Sequence, residues 1–312
     1  MIKYWLSIFC FLAVLSCKET HSDPPDYIPP VVDVEVDSMV FAVIGDFGVG
    51  GSIAEAVSDL VKSWDPEFII TAGDNNYGTG DENSFRENIG NFYCDFIYNP
   101  SAPQGLVCEG QANNDELNRF FPSIGNNDYY FNRLFQPYAD YFSLPGNEEF
   151  YDFKWGPVHF FSLNSSSSAN SQCCESEQAE WLIPKLTESD KPFRIVYFHH
   201  SPYSEATHGN FSNMQWGFPE LGATTVIAGH DHVYSALYRN DYPDVPYIIC
   251  GSSGYQLYSC GENPLDPAEF DVFCYDDWHG AIRVETNSSR MVFQYFAIND
   301  HDNPIHEVVV EL

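Results

Sequence analysis

From Met39 onward, apolar positions come in short runs separated by stretches with helical spacing. Met39–Ile44 reads as a buried strand ending in Gly45-Asp46. Residues 52–64 carry Ile53, Val57, Leu60 and Val61 at helical intervals, with Ser52 as the expected N-cap. Phe68–Ala72 is a second strand, ending in Gly73-Asp74. A β-α-β start of this kind predicts parallel strands, a right-handed crossover and functional loops at the strands' carboxyl ends. Residues 99–114, rich in Pro, Gly and Asn, read as an excursion, and Phe121–Ile124 leads into Gly125-Asn126. Strands are expected at 149–153 and 158–163, around a Trp155-Gly156-Pro157 turn. A helix with an internal Pro184 is expected over 175–186. Arg194–Phe198 ends in His199-His200, Thr224–Ala228 ends in Gly229-His230, and the remaining tail is strand-rich. No internal repeat and no second-domain linker interrupts this pattern.

The N-terminus differs from the rest. Lys3, the apolar stretch Trp5–Leu15 and the small Ser16 form an export signal over 1–16. Val14-Leu15-Ser16-Cys17 resembles a bacterial lipobox, which would make Cys17 the lipidated first residue; ordinary secretion is the alternative. The chain is therefore expected to be exported, either anchored by lipid and facing the periplasm or cell exterior, or secreted. Residues 17–38, with Pro24, Pro25, Pro29 and Pro30, read as a tether, leaving 39–312 as the domain. Elsewhere no apolar run approaches the ~18 residues of a membrane-spanning helix.

Composition adds two restrictions. With 44% apolar and 16% aromatic residues in 312, the chain can bury a large core, which excludes a disordered or fibrous protein. A net charge of −32 repels phosphate backbones, so no nucleic-acid-binding surface is expected. It does not exclude a small anionic substrate at a metal site, where a bound cation dominates the local field. Of nine cysteines, Cys10 lies in the signal and Cys17 at its end. Cys94 with Cys108 and Cys260 with Cys274 could each staple a loop-rich segment. Connectivity stays open, and the odd remainder leaves at least one thiol free.

The chemistry gathers at the strand ends. Asp46, then Asp74 with Tyr77, then Asn126, then His199 and His200, then His230 and His232 each follow a strand-like run. An Asp after Gly is usually a turn residue, and a strand-end His is usually hydrogen-bonded. Carboxylate, amide oxygen and imidazole recurring at corresponding places in successive strands describe a two-metal site instead.

These blocks resemble the calcineurin-like metallophosphoesterases, and more narrowly the purple acid phosphatase (tartrate-resistant acid phosphatase-like) branch. They are Gly45-Asp46-Phe47-Gly48, Gly73-Asp74-Asn75-Asn76-Tyr77, Gly125-Asn126, His199-His200-Ser201-Pro202 and Gly229-His230-Asp231-His232. Gly48 stands where most of the superfamily places a ligand His, and Tyr77 supplies the branch's replacement. The resemblance implies a four-layer αββα sandwich of two mixed sheets with helices outside. It implies one metal, Fe(III), at Asp46, Asp74, Tyr77 and His232, and a second, Zn, Fe or Mn(II), at Asp74, Asn126, His200 and His230. About three ligand negative charges then face roughly five from a trivalent–divalent pair, so the site stays positive. Between the neighbouring histidines, the one two places before Pro is implied as ligand, which selects His200. Strand alternation is expected to turn His199 toward packing.

One departure stands out: Asn127 replaces the family's usual His, in Gly125-Asn126-Asn127-Asp128. Asn donates a hydrogen bond but shuttles no proton. His208 is the substitute that the animal enzymes' pattern suggests, Asn127 would help hold phosphoryl oxygens, and Asp128 would either orient nothing or, if its pKa is raised, take a proton itself. His21, His159, His279, His301 and His306 have no supporting context. The expected reaction is metal-activated hydroxide attack on small phosphate monoesters. The alternatives are a phosphodiesterase or nucleotide hydrolase on the same site, or a metal-containing surface lipoprotein that binds without turnover.

Overall fold

The computed structural model describes residues 32–78, 82–102, 106–107, 117–129, 135–166 and 175–312. Strand β1 (Asp33–Val34) lies parallel beside β5 (Tyr151–Trp155) at a sheet edge. Val32 is 6% exposed, and Val34 and Val36 pack against the same core. This corrects the tether expected over 17–38: the folded body starts by residue 32, because these valines cover apolar surface. The export signal, Cys17 and residues 18–31 lie outside the described residues.

The β-α-β unit forms as expected. Strands β2 (Ser38–Ile44) and β3 (Phe68–Thr71) are parallel, in register from Phe41↔Phe68 to Ile44↔Thr71, across the helix Gly51–Ser63. Strand β4 (Phe120–Pro122) continues the parallel set beside β3. Near-continuous apolar runs suit strands covered on both faces. Ser52 is not the helix cap: Gly50 and Gly51, at φ 66° and 79°, make the entry turn that only glycine adopts cheaply. Val57, Leu60 and Val61 are buried, whereas Ile53 lies on the outer side.

Two mixed sheets result. The six-stranded one runs β14 (His306–Glu311), β13 (Arg290–Ala297), β12 (Gly280–Asn287), β2, β3, β4. The eight-stranded one runs β1, β5, β6 (Val158–Ser162), β7 (Phe193–His200), β8 (Thr225–Gly229), β10 (Tyr242–Cys250), β9 (Tyr234–Arg239), β11 (Phe270–Tyr275). They face each other across an aromatic layer. Phe121 stacks on Phe153 with centroids 3.9 Å apart, and Phe68 meets Trp155 at 4.7 Å and Phe160 at 5.3 Å. The helix Glu177–Thr187 covers the outer face of the eight-stranded sheet, packing Ala179, Leu182 and Leu186 against Val196, Phe198 and Val226. Ser176 caps it by accepting the Ala179 N–H, and Pro184 sits inside at the loss of one N–H donor. On the other side, the helix Gly51–Ser63 packs on β12. The four-layer αββα sandwich expected from the sequence is thus the architecture present.

Cys260 and Cys274 are bonded as one of the suggested pairs, and Cys250 is buried and free. Cys94 is also disulfide-bonded, while Cys108, its suggested partner, lies outside the described residues. Replacing Phe68 with Ala empties the aromatic layer where the sheets meet. We expect Phe68→Ala to lower stability by about 3–5 kcal/mol, measured by urea unfolding.

Candidate metal centre

The parallel strands β2, β3 and β4 of one sheet and the adjacent pair β7 and β8 of the other deliver their carboxyl ends to one edge of the sandwich. Asp46, Asp74 and His230 sit in the loops that follow and take positive φ of 54°, 51° and 71°. For residues with a Cβ this backbone costs of order 1–3 kcal/mol each, and it persists only where the surroundings enforce it. Hydrogen bonds do so here: Asp46 N–H to the Gly73 carbonyl (3.0 Å), His230 N–H to Asp46 Oδ2 (2.9 Å) and Asn127 N–H to Asp74 Oδ1 (2.8 Å). Gly48 explains one departure from the wider superfamily. A Cβ there would lie 1.9 Å from the Asn75 carbonyl oxygen, so no histidine fits, and Tyr77 donates its N–H to the Gly48 carbonyl instead.

Around Asp46, a first donor set assembles. The Tyr77 hydroxyl lies 3.1 Å from Asp46 Oδ1 and 3.2 Å from His232 Nε2, which is itself 3.3 Å from Asp46 Oδ1. His232 Nδ1 donates to the Gln256 carbonyl (2.8 Å), leaving the Nε2 lone pair aimed at this cluster. Burial and the carboxylates of Asp46 and Asp74 push the Tyr77 hydroxyl far above its ordinary pKa. A cation among these groups reverses that sign, because it favours the phenolate. Tyr255 stacks on Tyr77 at 4.2 Å, and Tyr258 stacks on His232 at 4.1 Å.

A second set meets it at His199. His199, His200 and His230 each bring a ring nitrogen to one small volume, and Asp46, Asp74 and His199 form an overlapping group. Burial, followed by the neighbouring histidines, lowers the pKa of His200 to about 2 and that of His230 further, so both are neutral donors. His200 Nδ1 lies 3.0 Å from the Ser165 hydroxyl. His199 differs from the sequence expectation. On β7 it shares the inter-sheet side with Ile195 and Tyr197, and at the strand's end that side is the donor edge rather than packing. Its Nδ1 donates to the Ala72 carbonyl (2.9 Å), and its Nε2 lies 3.1 Å from Asn126 Oδ1, 3.2 Å from His230 Nδ1 and 3.4 Å from Asp74 Oδ1. Burial alone would depress the His199 pKa, but the carboxylates of Asp74 and Asp46 outweigh it and hold it above the ordinary value. The place calls for positive charge.

The donor set fits two cations. Donor–donor separations of 3.1–3.4 Å match the edges of coordination polyhedra with bonds near 2.1 Å, and oxygen donors dominate one end while imidazoles dominate the other. Asp46, Asp74, Tyr77 and His232 could hold one ion; Asp74, Asn126, His200 and His230 could hold the second.

The three remaining candidates separate. Asn127 spends one amide hydrogen on Asp74 Oδ2 (2.7 Å), steadying a ligand carboxylate rather than reaching only outward. Asp128 is 1% exposed, and its oxygens accept from Gly125 N–H (2.7 Å), Asn75 Nδ2 (2.8 Å) and Asn76 N–H (2.9 Å). It clamps the loops after β3 and β4, and burial, followed by the Asp74 carboxylate, pushes its pKa up to about 8, the condition under which it was expected to take a proton. His208 is exposed at the rim, with its ring stacked on His230 at 4.0 Å and its N–H on Asp231 (2.7 Å). Away from the edge, His159 pairs with Asp152 and His306 stacks on Phe273, as structural histidines do. His279 bonds the Tyr255 carbonyl, His301 is exposed, and His21 lies outside the described residues. Missed in the sequence were His199, Tyr255 and Tyr258. Only the doubled His199-His200 carried a signal; the tyrosines stand in an irregular stretch with no periodicity.

Two solved structures share this architecture. A purple acid phosphatase from yellow lupin (Lupinus luteus) seeds superposes with a TM-score of 0.67 at 15% identity, covering 91% of this chain and 55% of the lupin chain. The chain thus spans little more than half of that enzyme's length. GAP50, the anchor in the inner membrane complex of Plasmodium, superposes with a TM-score of 0.64 at 16% identity, covering 89% of this chain and 90% of the other. At such identities the likeness establishes the fold. No curated protein matches in sequence. The profile of the calcineurin-like phosphoesterases matches residues 39–234, more than half of the chain, and these residues contain every donor named above, so the chain belongs to the calcineurin-like phosphoesterase family.

Proposed function

We propose that this member of the family is a two-cation phosphatase acting on small phosphate monoesters outside the cytoplasm. The observation that carries the reading is a pair of overlapping groups, Asp46, Asp74 and His199 with His199, His200 and His230, at an edge where Asn126 and His208 are solvent-exposed. The first set, with carboxylates and a phenol, suits Fe(III); the second, rich in imidazole, suits Zn, Fe or Mn(II). Cations held there would lower the pKa of an attacking water and neutralise phosphoryl charge. The chain's own groups do the rest. His208, stacked on His230 and open to solvent, stands where it can give a proton to the leaving oxygen. The Asn127 amide, anchored on Asp74, could turn its second hydrogen to a phosphoryl oxygen. With −32 overall, the surface turns away polyanions, which favours compact esters over nucleic acid. Export with a lipid on Cys17 would place the domain at a membrane surface, where released phosphate could be taken up.

A specific observation favours one other reading. Asn127 replaces a proton-shuttling His and is tied to Asp74, as a site kept for binding alone would tolerate. Metal-replete protein should release phosphate from p-nitrophenyl phosphate; no release would leave the binding reading standing. A panel of monoesters, diesters and nucleotides then tests the preference, with monoesters expected to turn over fastest. Tyr77→Phe should abolish a visible phenolate-to-iron absorption band while far-UV circular dichroism stays unchanged. His208→Ala should slow esters with poor leaving groups on the order of 10²–10⁴-fold and activated aryl esters far less. Equal slowing of both would remove it as the acid.

A further inference from the structure

We propose that the cavity beside His208 is the leaving-group subsite of this centre, suited to an uncharged alcohol that carries several hydroxyl groups, a polyol or a sugar. The inference rests on the phosphatase reading above and names the part of the substrate that lies beyond phosphorus.

Position is the first ground. A cavity of 380 Å³ opens between the segments 204–210 and 262–265. It falls at the small end of ligand clefts, which run to about 300–1,000 Å³. His208 belongs to its lining, and the same ring stacks on His230 of the second donor set at 4.0 Å. An ester whose leaving oxygen faces His208 therefore directs its alcohol toward this cavity.

Construction is the second ground, because the two segments are stitched together. Asn263 donates its backbone N–H to the Glu205 carbonyl (2.8 Å) and its Nδ2 hydrogens to the carbonyls of Ala206 (2.7 Å) and Thr207 (3.1 Å). Asp231 Oδ1 accepts the His208 backbone N–H (2.7 Å), and the Cys260–Cys274 disulfide ties the second segment to β11. Gly209, at φ 66°, lets the turn close on Asn263, since a Cβ there would fall 3.3 Å from Asn263 Cγ. These bonds hold His208 and the cavity in one relation.

Lining chemistry is the third ground. With its Nδ2 hydrogens spent on two carbonyls, Asn263 keeps Oδ1 as an acceptor. Asn210 is the reverse: its Oδ1 accepts the Ser204 N–H (2.9 Å), so its amide hydrogens remain to donate. Glu262 is exposed and has no partner among the described residues. A carboxylate, an amide oxygen and an amide donor around one space match hydroxyl groups, each of which both gives and takes a hydrogen bond. Among the described residues no Lys or Arg lines the cavity. An alcohol that bears a second phosphate or a carboxylate therefore meets Glu262 with no cation to offset the repulsion.

The test compares kcat/KM of the metal-replete whole protein for ethyl phosphate, glycerol 1-phosphate, glucose 6-phosphate, phosphoethanolamine and phosphoglycolate. All are esters of alkyl alcohols, so the comparison reads the subsite. The glycerol and glucose esters should exceed the ethyl ester about tenfold, the worth of one or two hydrogen bonds, with phosphoglycolate slowest. Parity of the glycerol, glucose and ethyl esters would overturn the proposal. So would phosphoethanolamine as the best substrate, which would make the cavity a site for cations. Glu262→Lys should move phosphoglycolate above phosphoethanolamine and shrink the preference for the glycerol ester; an unchanged ranking in folded variant, checked by far-UV circular dichroism, would also overturn it. The wild-type ranking needs no variant, so a misfolded substitution does not spare the proposal. No phosphate released from these esters or from p-nitrophenyl phosphate would overturn the phosphatase reading itself, a distinct result.

Discussion

Charge compensation at the sandwich edge governs this molecule. Asp46 and His199 have no exposed surface, Asp74 is 1% exposed and His232 is 3% exposed, yet their electron-rich atoms face one another within hydrogen-bond range. Buried donors of like polarity are stable only when positive charge joins them. The positive-φ turns at Asp46, Asp74 and His230, the side-chain-free Gly48 and Gly73, and the clamp by Asp128 all serve to hold that arrangement. A cation that supplied the missing charge would therefore stabilise this edge of the fold.

The centre also bridges the two sheets. Asp46, Asp74 and Asn126 come from the six-stranded sheet, and the histidines come from the eight-stranded one. Beneath them, the aromatic layer of Phe68, Phe121, Phe153 and Phe160 fixes the sheets' separation. Close packing transmits position well, so a rigid core sets donor distances that flexible loops alone would not hold. The acidic composition of the chain and its cation-demanding edge are opposite in sign.

Asn127 redistributes the work at the open side. Its amide is anchored to a ligand carboxylate, leaving His208 as the histidine at the rim that no donor set claims. Stacking on His230 places that ring beside the second donor set, whereas the resemblance had offered it only by spacing.

Much of this was readable in the chain. Apolar runs ending in Gly-Asp, Gly-Asn or His pairs located the strands and nearly all donors, because a buried strand must be apolar along its length and its loop must carry the polar chemistry. The packing of Val32, Val34 and Val36 on the core, the glycine entry to the helix Gly51–Ser63 and the loop-clamping role of Asp128 were not, since each depends on partners distant in sequence. The same holds for His199. Alternation along β7 correctly turned it away from Phe198, but which side of a strand faces a core and which faces a metal edge depends on how the second sheet is stacked above it. Local pattern determines what a residue can offer; the packing of one sheet on another determines what it meets.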